Sequence, residues 1–259
     1  MKDLFGPGKS EQGPVREIVL SDITVMGAGY CVIGLEQTSP DTCRSVRPMP
    51  PRGFAWREPF PFRRGDCVRF RPAPVQATRP HTEDLKSSGL IATGRSLNEP
   101  ELMTCLWQAE VSRDLEHLFG CAVQVSQRGG SAVWVNPADA ARSICGCAYK
   151  NLRLRIFPEP EGFNLRAEIV LNSNERLSSL PIVDREWRRF VTQVVQRVSR
   201  SDRLPFSERF LNKLVQTKLL LMPYRFARIG LPRPRSDAQC WLMLDSLFPQ
   251  PDDSWLGLL

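Results

Sequence analysis

One short string holds most of the acid–base chemistry this chain can offer: His81-Thr82-Glu83-Asp84. An imidazole beside two carboxylates suits a general base or part of a metal site. No nucleophile motif and no phosphate-binding glycine loop accompanies it, so a capped turn is the simpler reading. There is also no P-loop, no dinucleotide fingerprint and no zinc-deaminase pattern. The eight cysteines form no pair of CxxC motifs, and Cys145-Gly146-Cys147 stands alone, far from both histidines. They read as small buried hydrophobes, mostly reduced. No catalytic residue, cofactor or metal is expected.

The arginines suggest a different chemistry. Cys67-Val68-Arg69-Phe70-Arg71 and Asn151-Leu152-Arg153-Leu154-Arg155-Ile156 both alternate apolar residues with arginine. In a strand this period puts Val68, Phe70, Leu152, Leu154 and Ile156 inward and the arginines outward. Guanidinium groups bind phosphate through charge-assisted, often bidentate hydrogen bonds. The first candidate set is Arg44, Arg47, Arg69 and Arg71, with Phe54 and Trp56 as stacking platforms. The second is Arg153, Arg155 and Arg166, where Glu168 offers Arg153 or Arg155 an ordinary surface salt bridge. The third is Arg185, Arg188, Arg189, Arg225, Arg228, Arg233 and Arg235. Residues 176–235 carry a net +10 within a chain of net +7, a field able to steer phosphate backbones. For any single arginine a solvated outer face is the ordinary explanation, and Trp56 equally suits plugging a barrel end. Only the clusters favour binding.

Short elements must position these groups. The 22 prolines exceed the usual share of about 5% and favour many short strands joined by loops. Residues 1–14 read as a flexible arm. Strands are expected at 16–20, 30–35, 42–47 and 67–71, which is the density of a small barrel over residues 15–80. Residues 73–99 read as a linker. A helix opens at Glu99-Pro100-Glu101 and runs to Gly120, so residues 81–131 form a linker and helix. Residues 132–250 form a second β region, with strands at 132–135, 151–157 and 163–171. A helix capped by Asp184 spans 184–199 and another spans 206–221. Closing strands follow at 224–229 and 240–247, then a tail at 251–259. The fold class is mainly β with inserted helices, as two small barrels packed together, and the two arginine strands look like equivalent positions in them. No apolar run is long enough to span a bilayer, and no signal-peptide core opens the chain, so a cytoplasmic location without membrane association is expected.

These segments carry a resemblance. Gly29-Tyr30-Cys31-Val32-Ile33-Gly34, Cys43-Arg44-Ser45-Val46-Arg47-Pro48 and Gly65-Asp66-Cys67-Val68 resemble the first half of the bacterial dual OB-containing domain family. Arg79-Pro80-His81-Thr82-Glu83-Asp84 matches in part, with Thr82 and Asp84 departing from a His-Pro-Glu-Asn-like string. Asn136-Pro137-Ala138-Asp139, Ser143-Ile144-Cys145-Gly146 and Asn151-Leu152-Arg153 resemble its second half, as do Arg228 to Pro234 and Cys240-Trp241-Leu242. The matches run in order over roughly residues 15–250. The resemblance implies two OB-like folds, nucleic-acid binding or sensing within a bacterial antiviral defence system, and no established catalytic residues. The expected function is a non-catalytic accessory subunit that binds nucleic acid, single strands favoured, with DNA and RNA undecided, beside a protein partner in a defence complex. The alternative is a protein–protein adaptor whose apolar, acidic end (Phe248, Trp255, Leu256) docks an effector enzyme without binding nucleic acid.

Overall fold

The structure, a computed structural model, describes residues 13–73, 75, 78–125, 133–159, 162–199, 207–221, 224–233, 239–252 and 255. Almost all of the expected N-terminal arm lies outside them, as does Arg235. The protein is mostly β, with three helices among the described residues and a curled sheet. The first region contains β1 (Arg16–Met26), β2 (Gly29–Ser39), β3 (Thr42–Met49), β4 (Trp56–Arg57), β5 (Asp66–Phe70), β6 (Pro72–Ala73), β7 (Asp84–Ser87) and β8 (Ile91–Ser96). Helix α1 (Glu99–Trp107), β9 (Val111–Ser112), β10 (Gln124–Val125) and β11 (Val133–Val135) follow. The second region contains β12 (Ile144–Glu159), β13 (Gly162–Leu171), β14 (Arg176–Pro181), α2 (Arg185–Ser199), α3 (Glu208–Leu220), β15 (Phe226–Gly230), β16 (Cys240–Trp241) and β17 (Met243–Phe248).

Both regions use a similar connectivity. In the first, β1 pairs with β2 and β5, β2 with β3, and β3 lies parallel to β7. β6 pairs with β7 and is separated from β5 by Arg71 alone, so the hydrogen-bonded path returns to β1. In the second, β12 pairs with β13 and β15, β13 with β14, and β15 with β17. A parallel bridge from Ile182 to Leu244 then links the exit of β14 to β17. In each unit the first strand pairs with the second and with a later one, β5 or β15, and the third lies parallel to β7 in the first unit or leads to a single parallel bridge with β17 in the second, while β4 has no counterpart there.

This order corrects the expected equivalence of the arginine strands. Arg69 lies on β5, a late strand that pairs with the first strand of its unit, whereas Arg153 and Arg155 lie on β12, itself the first strand of theirs. Their local pattern is as expected: Val68, Leu152 and Leu154 are fully buried, Phe70 nearly so, and Arg69, Arg71, Arg153 and Arg155 are exposed. The expected linker also forms strands, because β7 and β8 complete the first sheet. Helix α1 starts as expected, with a capping box between Asn98 and Glu101. It stops at Trp107 rather than Gly120, since Val111 and Ser112 are drawn into parallel pairing with Gly146 and Cys147.

The core has three parts. Ile18, Leu20, Val46, Val68 and Phe70 fill the first unit. Leu152, Leu154, Ala167, Ile169, Trp187 and Val191 belong to the larger core of the second. Between them, Leu102, Met103 and Leu106 of α1 pack with Val19 and Cys67 from one unit and Phe226 and Phe248 from the other. β1 thus buries both faces, which explains its nearly unbroken run of buried residues. The free edge of β12 is covered by α3: Asn212 donates to the Leu154 carbonyl (2.8 Å) and accepts from the Leu154 amide (2.7 Å), standing in for a neighbouring strand. The C-terminal segment does not present the aromatics of the adaptor reading. Phe248 is buried in β17, and Trp255 is buried edge-on against Trp187 and Phe190. Leu256 lies outside the described residues. No described helix is long and apolar enough to cross a membrane.

Candidate nucleic-acid interface

The arginines divide by burial. Arg47 and Arg228, both among the expected nucleic-acid-binding residues, are 6% and 0% exposed and lie in the seam between the units. Arg47 on β3 donates through Nη1 to Asp84 (2.8 Å) and through Nη2 to Ser143 Oγ (2.8 Å), just before β12. Ser143 in turn donates to Glu83 through its hydroxyl (2.9 Å) and amide (2.8 Å). Arg233 reaches the other oxygen of Asp84. Arg228 on β15 crosses to Ser45 Oγ (2.8 Å) and lies 3.4 Å from Asp22. Arg64 binds Asp184 (2.7 Å), and that carboxylate also accepts from the amides of Glu186 and Leu247. Charges this deep require partners, because an unpaired one is strongly unfavourable. Position 47 was misjudged because its partners arrive from β7 and from the second unit.

The acid–base string belongs to the same seam. His81 is buried, and its Nδ1 lies 2.8 Å from Arg47 Nη1. A guanidinium only donates, so Nδ1 accepts and the neutral ring carries its proton on Nε2. Burial, helped by the charges of Arg47 and Arg233, pushes its pKa down to about 3. Glu83 and Asp84 are occupied by Ser143, Arg47 and Arg233. The Cys145-Gly146-Cys147 thiols are buried, and desolvation raises Cys145 to about 11 and Cys147 further, so both stay protonated at neutral pH.

A different set of residues meets on the surface where the first unit adjoins α2. The segment Phe60-Pro61-Phe62-Arg63-Arg64 precedes the turn at Gly65, whose positive φ of 91° and close approach to the Leu97 carbonyl require glycine. Phe60 packs 5.6 Å from Tyr30 and 5.4 Å from Phe62, ring centre to ring centre. Asp184 caps α2 and so fixes Arg185 at its start, where the guanidinium lies 5.4 Å from the Tyr30 ring centre and donates to the Phe62 carbonyl (2.9 Å). Arg189 follows one turn later. Tyr30, Phe60, Phe62, Arg63, Arg185 and Arg189 line an open groove of about 630 Å³. Arg63 and Arg189 are exposed and make no ion pair among the described residues. Arg185 is paired to Glu186 (3.0 Å). Glu58 holds the Tyr30 hydroxyl, and that hydrogen bond raises the tyrosine pKa and lowers the glutamate's.

The remaining candidates are scattered. Arg44 is held by Glu36 (2.6 Å) and Arg69 by Glu17 (2.9 Å). Arg71, Arg153 and Arg155 are exposed, with Arg153 opposite Glu168 and Arg155 opposite Arg166 in the register. Arg188 donates to the Ile182 carbonyl (3.3 Å). Trp56 packs on the first core, with its Nε1 donating to the Pro48 carbonyl (2.8 Å). Phe54 is half exposed, with Arg233 stacked 4.1 Å from its ring centre. Of the candidates, Arg185 and Arg189 lie together beside three partly buried aromatic rings that pack on the first core. Tyr30, Phe60, Phe62 and Arg63 were missed as site residues, although the alternation of Phe60, Phe62 and Arg63 was a readable signal. The chain matches no protein-family model and no curated protein at a significant level.

Proposed function

We propose that the protein is a non-catalytic module that binds single-stranded nucleic acid through the groove between the first unit and α2, built on two OB-like barrels. The observation that carries this reading is the meeting of three aromatic rings with Arg63, Arg185 and Arg189 in one groove. Single strands are held in this way, by bases stacking on aromatic faces while cations follow the backbone. The barrel reading is supported by the similar strand order in both units, with β3 parallel to β7 and the exit of β14 bridged in parallel to β17, and by the helices placed between β14 and β15. A role as an accessory subunit of a bacterial defence complex, beside a protein effector in the cytoplasm, rests on the sequence resemblance. The occupation of His81, Glu83 and Asp84 in the seam supports a non-catalytic role.

Titration of labelled oligo-dT, oligo-U and a duplex of equal length at several salt concentrations tests the reading. Two phosphates neutralised by Arg63 and Arg189 give a slope of log affinity on log salt of about −1.4 for single strands. Tighter binding of single strands than of the duplex is expected. Absence of binding at low salt, or binding that survives loss of Tyr30 and Phe60 together, overturns it.

A further inference from the structure

Three of the eight cysteines come together from distant parts of the chain. Cys43 on β3, Cys67 on β5 and Cys105 on α1 line one open cleft of about 650 Å³, which Arg16, Arg44 and Arg95 also line. All three belong to the middle part of the core, where α1 packs between the units. Cys43 and Cys67 are each 5% exposed, whereas Cys105 is half-buried and the most accessible of the three. Each is a free thiol in the structure.

The backbone sets two of these thiols against each other. The Cys43 amide donates to the Gln108 carbonyl (2.9 Å), and the Cys43 thiol lies 3.7 Å from the Gln108 side-chain oxygen. Two residues on, the Ser45 hydroxyl donates to Glu110 (2.7 Å), so the start of β3 is pinned along the chain that leaves α1. Cys105 stands three residues before Gln108, and side chains three apart share one face of a helix. Its thiol is thereby brought within hydrogen-bonding reach of Cys43. Cys67 approaches Cys105 from β5 but forms no hydrogen bond with it among the described residues. Burial pushes the Cys43 thiol up to about 11, with Cys105 and Glu110 adding to the rise, so at rest it keeps its proton.

From this geometry we infer that Cys43 and Cys105 form a reversible dithiol that is oxidised by low-molecular-weight disulfides entering the cleft. Cys105 gives its proton to solvent and attacks one sulfur of the small disulfide. That S–S bond breaks, one small thiolate leaves and takes up a proton, and Cys105 is left in a mixed disulfide. Cys43 then gives up its proton and attacks the Cys105 sulfur. The mixed bond breaks, the second small thiol leaves, and the Cys43–Cys105 bond closes. Two protein thiols are oxidised and one small disulfide is reduced to two thiols. The new bond ties β3 to α1. Neither cysteine lines the groove of Tyr30 and Arg189, so the inference stands apart from the proposed nucleic-acid binding.

The test incubates the reduced full chain with excess oxidised glutathione, quenches with N-ethylmaleimide and reads intact and peptide masses. The expected product lacks two hydrogens, takes up label at two fewer thiols, and yields a peptide linking Cys43 to Cys105. Dithiothreitol should reverse all three signs, and the oxidised chain should unfold at a higher Tm than the reduced one. Cys43→Ser should stop at the glutathione mixed disulfide on Cys105. Cys105→Ser should slow uptake of glutathione at Cys43 about tenfold or more, because the remaining thiol is buried. Cys67→Ser should oxidise as the parent chain does. The linked peptide is read on the unsubstituted chain, so the test remains decisive should a variant fold poorly. Absence of that peptide, linkage no faster in the folded chain than in urea, or Cys67 in place of Cys43 in the bond overturns the inference.

Discussion

The seam and the groove use the same residue type for opposite ends. In the seam, Arg47, Arg64 and Arg228 are buried and each faces a carboxylate. In the groove, Arg63 and Arg189 are exposed and face open space beside aromatic rings. Arg63 and Arg64 are neighbours in sequence yet fall on opposite sides of this divide. A guanidinium withdrawn from water is committed to its partner, and its loss leaves a buried charge behind. One left in water holds its place through its stem and can exchange solvent for a phosphate. Burial, not residue identity, separates the arginines tied into the seam from those the proposed function would use.

The comparison breaks most visibly at Arg228. Arg228→Ala leaves Asp22 without its cation and removes the bond to Ser45, and the expected cost is about 3–5 kcal/mol of stability. Urea denaturation should show a large fall in midpoint; a loss comparable to that of a surface variant would mean the seam is not held by its ions. Next in size, Phe60→Ala with Tyr30→Ala should lower affinity for oligo-dT by about 1–3 kcal/mol for each stacked base lost, with circular dichroism retained.

A pH profile sharpens the seam side. Folded His81, near 3 against 6.5 when free, favours the unfolded chain as pH falls below 6.5. Asp245, near 8 against 3.8, does the reverse: the folded form holds the proton, and stability is lost as pH rises from 3.8 to 8. The two oppose each other between 3.8 and 6.5, and from 6.5 to 8 Asp245 acts without His81, in the same direction as the exposed His117, whose bond to Asp114 raises its pKa. Stability should therefore fall by up to about 1.4 kcal/mol per pH unit over that upper window. Asp245→Asn should flatten the decline, and a decline unaltered in that variant would assign it to another group.

The smallest effects test the groove's boundary. Arg189→Ala should reduce the salt slope by about 0.7, one phosphate's share. Arg69→Ala, which only loses a pair with Glu17 on an exposed strand face, should change stability by no more than about 1 kcal/mol and leave affinity untouched. Equal losses of affinity at Arg69 and Arg189 would move the binding surface onto the strand faces.

Much of the local structure was readable along the chain. The alternation at 67–71 and 151–156 reports which side chains face inward, because side-chain direction in a strand is set by the covalent period of two. Asp184 announced the start of α2 and Glu99-Pro100-Glu101 the start of α1, because such start signals involve groups only a few residues apart. β7 and β8 were missed because Asp84–Ser87 and Ile91–Ser96 carry little apolar alternation and become strands only against β3 and β5. The end of α1 was misplaced for the same reason, since β12 competes for the chain at Val111.

By itself, then, the sequence determined a β-rich chain, the inward and outward faces of its clearest strands, the helix starts and a strong positive charge. Only the tertiary structure decided which charges stay in water. Arg47 meets Ser143 across 96 residues of chain, and Arg228 meets Ser45 across 183. No local pattern encodes such meetings, because the energy of a buried ion depends on what the opposite unit brings to it.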